Sequence, residues 1–182
     1  MNSKDLFYMA LFSLLTIILG LFPPIMVPSI GVPVTAQSMG CMLAGSILGA
    51  KRGLISLLIF ILLIIIGLPV LAGGKGGLDV FFTPSGGFIL AWPLAAGLIG
   101  YLYEKNLSSL SFIKEAFFIL LGGIILVYTI GIPWVAFFAE LSLYKAALGT
   151  MNFLPGAIIK VILTIFITRI IRRYYPNKGD TL

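Results

Sequence analysis

Six long apolar runs, broken by glycine, proline and paired cations, constrain this chain more than anything else in it. They fall at 6–22, 34–50, 53–71, 87–103, 112–132 and 154–171. Each is long enough to cross a hydrocarbon core, which takes about 20 residues within a range of about 17–25. Hydrophobic residues make up 60% of the chain and charged ones 10%, whereas a soluble domain is about a quarter charged. A water-solvated globule and a disordered chain are both excluded. The expected fold is an all-α integral membrane protein: a six-transmembrane-helix bundle in one membrane domain covering 1–182. The first run follows Lys4 and stops at Pro23-Pro24 with no small-residue cleavage site, so it reads as a retained helix and not a leader.

Orientation follows from the cations. With a cytoplasmic N-terminus, the inside carries Lys4, Lys51, Arg52, Lys105, Lys114, Arg169, Arg172, Arg173 and Lys178, nine in all, while Lys75, Lys145 and Lys160 lie on the outer side. Nine against three obeys the positive-inside rule, and both termini are expected in the cytoplasm of a multi-pass cell-membrane protein. The net charge of +6 is then a matter of topology and gives no reason to expect nucleic acid. The outer connections are Pro23–Pro33, the glycine-rich 72–86 and a stretch after Pro133. Pro133 is expected to end the fifth helix, and 134–149 reads as an amphipathic helix lying at the interface.

The chain has no His and one cysteine, Cys41. Imidazole acid–base chemistry, haem ligation and most zinc sites are absent, as is any internal disulfide. No catalytic residue, metal or cofactor is expected. Gly73-Gly74-Lys75-Gly76 lacks the first glycine and the hydroxyl residue of a phosphate-binding loop, so the chain cannot hydrolyse ATP by itself.

Polar groups inside a membrane are costly and point to function. Lys160 lies six residues into the last run, about 9 Å along a helix at ~1.5 Å per residue. Trp92 lies at similar depth in the fourth run, Tyr128 four residues before the end of the fifth, and Gln37 three residues into the second. With Asp79 in the loop above, they outline a cavity open to the outside, with aromatic walls, one ammonium, one carboxylate and one amide. A small, partly apolar carboxylic acid fits such a cavity. The competing reading makes Lys160 a snorkelling side chain, Trp92 a belt residue and Gln37 an interhelical hydrogen-bonding group.

Four segments then resemble one family. They are Pro33-Val34-Thr35-Ala36-Gln37-Ser38-Met39-Gly40, Gly67-Leu68-Pro69-Val70-Leu71-Ala72-Gly73-Gly74, Thr83-Pro84-Ser85-Gly86-Gly87-Phe88, and Leu154-Pro155-Gly156 with Lys160. In order and over nearly the whole chain they are similar to BioY, the biotin-specific S component of energy-coupling factor transporters. The resemblance implies capture of biotin from outside. It also implies assembly with a coupling transmembrane subunit and two ATPase subunits, which would supply the missing nucleotide chemistry. Ligand contacts are then expected from Gln37, Asp79, Trp92, Tyr128 and Lys160, and from the backbone of Ser85, Gly86 and Gly87. The family usually carries an acid where Ala157 stands; either Asp79 takes that role, or affinity falls, or the residue has been altered. Partner docking is expected around Ala10, Ser13 and Leu14 on the first helix, where this chain lacks the family's Ala-x-x-x-Ala pattern. The rival function is a self-sufficient secondary transporter or channel for a small organic anion.

Overall fold

In a computed structural model that describes residues 2–174, the chain is a bundle of helices. These are α1 (Ser3–Leu19), α2 (Ser38–Leu48), α3 (Ala50–Ile65), α4 (Gly86–Lys105), α5 (Phe112–Leu120), α6 (Val127–Phe138), α7 (Leu143–Met151) and α8 (Leu154–Tyr174). A π-helical stretch, Leu121–Leu126, joins α5 and α6 into one rod. Between α1 and α2 a short antiparallel hairpin pairs β1 (Ile25–Val27) with β2 (Val32–Val34). A 3₁₀ turn, Leu78–Phe82, precedes α4. Lys178, counted among the inner cations, lies outside the described residues.

Helix α4 is the central rod, packed on α2, α3 and α6. Its small residues make this possible. A Cβ on Gly100 would meet the backbone of Gly49 and Ala50, and one on Gly45 of α2 would meet the Ala96 carbonyl. Without a strong hydrophobic drive between helices in lipid, such close approach and the dispersion it brings supply the association energy. At the α2–α3 corner, Gly49 takes a left-handed φ of 84°, and the Glu104 carboxylate accepts the Ala50 N–H at 2.9 Å, satisfying one free donor of the α3 N-terminus.

The outer surface of the rods is apolar: Phe7, Leu62, Ile113, Phe117, Ile159 and Phe166 are all exposed. Inside, by contrast, Ser13, Thr16, Ser46, Ser56, Glu115, Thr164 and Thr168 are buried. An apolar exterior suits a chain whose surroundings are lipid. Among the described residues, three helical stretches are long and apolar enough to cross a membrane: Gly86–Lys105, Phe112–Phe138 and Leu154–Tyr174.

Several expected boundaries move. The second segment becomes helical only at Ser38 because Val32–Val34 is drawn into the hairpin, with Ile25 opposite Val34. The third ends at Ile65 because Gly67 is left-handed, at φ 91°. Pro133 does not end the fifth helix, which runs on to Phe138. Prolines are tolerated within membrane helices because packing neighbours and local adjustments compensate the lost backbone bond; here the Trp134 indole N–H donates to the Thr83 carbonyl at 3.2 Å and pins the far end. The expected interfacial helix 134–149 is accordingly two pieces. Glu140, left-handed at φ 53°, breaks it, and the Ser142 hydroxyl caps α7 by accepting from the Lys145 N–H.

Candidate functional site

One end of the bundle is closed by the hairpin, the loop before α4 and the start of α8. Beneath them lies a cavity of about 100 Å³. Gln37, Ser85, Trp92, Tyr128 and Lys160 all line it, so side chains from separate rods do converge. Lys160 points inward. Its ammonium donates to the Thr35 carbonyl at 3.0 Å and to the Ser38 hydroxyl at 2.6 Å. No carboxylate pairs with it among the described residues: the ion pairs there are Arg52–Asp5 and Arg169–Glu115. A partly buried cation satisfied only by neutral oxygens is poised for an anion or a strong acceptor.

Two further lining residues lack partners. The Trp92 indole N–H and the Tyr128 hydroxyl are buried and make no hydrogen bond among the described residues. Unpaired buried donors are rare and call for a partner. Their rings are fixed by neighbours, Trp92 beside Phe60 with centroids 5.9 Å apart and Tyr128 edge-on to Phe88 at 6.0 Å. Phe88, Phe153, Met42, Val80 and Val127 complete apolar walls. The cavity therefore offers the Lys160 ammonium within, the Lys75 ammonium at its rim, two free donors and an apolar envelope, which is the chemistry for a small amphipathic acid.

Gln37 faces the same cavity but is already occupied. Its amide N–H groups donate to Thr16 O at 3.2 Å and Val70 O at 2.9 Å, and its carbonyl accepts the Ala72 N–H at 2.9 Å. It fastens α1 and the loop after α3 to the start of α2. Gln37→Leu is expected to cost about 2 kcal/mol of stability, from buried groups left unpaired, with the same fall in Tm with and without ligand. A fall confined to the ligand-bound protein would instead make Gln37 a ligand contact.

Other expected contacts are not brought to the cavity. Asp79 is exposed on the 3₁₀ turn and does not line it, so it cannot replace the acid missing at Ala157, itself a wall residue. Gly86 and Gly87 serve packing: a Cβ on Gly86 would meet the Phe81 carbonyl, and one on Gly87 would meet Trp134. On α1, Ala10 and Leu14 are exposed, but Ser13 is 2% exposed and faces the interior, so the docking face expected there loses its hydroxyl. Conversely, Ser38, Thr35, Phe88 and Phe153 were not singled out. Ser38 stands in the quoted segment beside Gln37, yet only the α2–α8 contact makes it an anchor for Lys160.

The described residues contain no group of three or more His, Cys, Asp and Glu placed to hold a metal ion.

A family model described as the BioY family matches residues 1–177. The biotin transporter BioY of Rhizobium etli is 43% identical over 181 residues, 97% of each chain. The probable biotin transporter BioY of Bacillus subtilis is 40% identical over 163 residues, 90% of this chain and 87% of its own. Among solved structures, the S-component for biotin from an ECF-type ABC transporter is 40% identical and superposes with a TM-score of 0.91, covering 95% of each chain.

Proposed function

The chain belongs to the BioY family, and on that premise we propose that it is a biotin-binding S component, capturing the vitamin for ATP-driven uptake by an energy-coupling factor transporter. The observation that carries this reading is the cavity itself, where the Lys160 ammonium, lacking a carboxylate partner, and the unpaired donors of Trp92 and Tyr128 are set in apolar walls. Biotin offers acceptors at both ends, a carboxylate and a ureido carbonyl, joined by a compact apolar ring system that matches the aromatic lining.

In this reading the cavity end faces outward and six segments cross the cell membrane, with both termini in the cytoplasm. The opposite end is the basic one. There Arg52 pairs with Asp5 near the α1 N-terminus, Arg169 with Glu115, and Arg172 lies 5.0 Å over the Tyr103 ring. The coupling transmembrane subunit and two ATPase subunits work from that side and supply the energy. Ala10 and Leu14, on the exposed face of α1, are the docking residues. The chain binds and releases its ligand without chemical change.

Equilibrium binding of a panel of water-soluble vitamins to the purified chain tests this. Biotin alone is expected to bind, without partner subunits. Equal retention of several vitamins, or none, would overturn the assignment, and uptake into liposomes holding only this chain would favour a self-sufficient transporter.

A further inference from the structure

Among the described residues two lysines line the cavity, Lys160 and Lys75, and no carboxylate does. They differ in what they have left to give. Lys160 has already committed its ammonium to Thr35 O and Ser38 Oγ. Lys75 is exposed, and among the described residues its side chain has no hydrogen bond or ion pair; Asp79, four residues further along the same glycine-rich stretch, is not its partner.

The backbone beneath Lys75 is fixed. The Leu71 N–H donates to Lys75 O at 3.0 Å, the Gly74 N–H to Leu71 O at 2.9 Å and the Gly77 N–H to Ile64 O at 2.8 Å. Gly73, Gly74 and Gly77 are left-handed, at φ 80°, 70° and 95°. Gly76 lies against the Leu68 carbonyl, where a Cβ would not fit. The turn thus holds the Lys75 Cα at the rim of the cavity and leaves only the flexible side chain to move, an arrangement that spares loop-ordering entropy on binding.

We infer that Lys75 is the ligand's carboxylate partner, closing over it from the rim, while Lys160 meets the polar group at the ligand's other end. A monocarboxylate brings one negative charge and the cavity brings two cations. The uncommitted, solvent-side ammonium pairs with that charge at the smaller desolvation cost, and the remaining N–H of Lys160 is left for a neutral acceptor. The inference rests on the biotin reading, and it divides the ligand's two ends between two lysines.

The experiment compares biotin with biotinamide, in which the carboxylate is a neutral amide, on the purified full chain and on Lys75→Gln and Lys75→Arg. Lys75→Gln is expected to weaken biotin roughly tenfold or more, the scale of a charge-assisted hydrogen bond. It should leave biotinamide within about twofold, and Lys75→Arg should restore most of the biotin affinity. Unchanged biotin affinity in Lys75→Gln, or equal losses for biotin and biotinamide, overturns the inference and leaves the biotin reading standing. Failure of the unaltered chain to bind biotin overturns both.

Discussion

Lys160→Ala is expected to weaken biotin binding roughly 10- to 150-fold, the range set by losing one hydrogen bond from a charged donor, about 1.5–3 kcal/mol. The ammonium is held by Thr35 O and Ser38 Oγ and has no carboxylate partner among the described residues, so the unliganded protein carries a partly buried cation that only neutral oxygens satisfy. Such an arrangement costs stability until a ligand completes it. Function and fold should therefore move separately. Lys160→Met, which keeps bulk and removes charge, should lose affinity to a similar extent while the Tm of the ligand-free chain holds or rises. Isothermal titration beside a thermal melt reads both. Full affinity in either variant would remove Lys160 from the site, and a ligand-free Tm that falls in step with affinity would make its role structural.

The largest effect on folding is expected at Gly100. A Cβ there meets the Gly49–Ala50 backbone, whereas one on Gly97 meets only the Leu54 side chain, tightest at the terminal Cδ1, 3.1 Å away. Backbone cannot give way and a leucine rotamer can. Gly100→Ala should thus cost about 3 kcal/mol, the upper range for overpacking, or roughly 6–12 °C in Tm for a chain of this size. It should also loosen the Glu104 carboxylate from the Ala50 N–H it accepts. Gly97→Ala, the same chemical change one turn earlier on α4, should be neutral or slightly stabilising, because alanine favours helix. Equal Tm values for the two variants would refute the claim that α4 and the α2–α3 corner are packed to backbone contact.

How much of this was legible beforehand depended on which physical rule governed each element. Segments 87–103 and 154–171 appear as α4 and α8 with ends shifted by no more than three residues, because a long apolar run in lipid has little choice but to close its own backbone bonds. The rod from Phe112 was missed past Pro133 because the expectation applied a rule of water-exposed helices. The second helix was expected from Val34 and begins only at Ser38, since the apolar character of Val34 is equally that of the strand Val32–Val34, and nothing local distinguishes the two in so short a run.

Apolar run length and cation asymmetry are local properties summed along the chain, and they determined that this protein is helical and destined for lipid; ordered motifs placed it near BioY. Which polar groups are spent and which are free is a property of distance between rods. Gln37 looked like a ligand contact and is consumed by Thr16, Val70 and Ala72. Asp79 looked like the missing acid and stands outside the cavity. Ser38 looked ordinary and holds Lys160 across 122 positions of sequence. A hydrogen bond exists only within about 3 Å and along a narrow range of angles, so only the packed arrangement of helices decides which donors remain for a ligand.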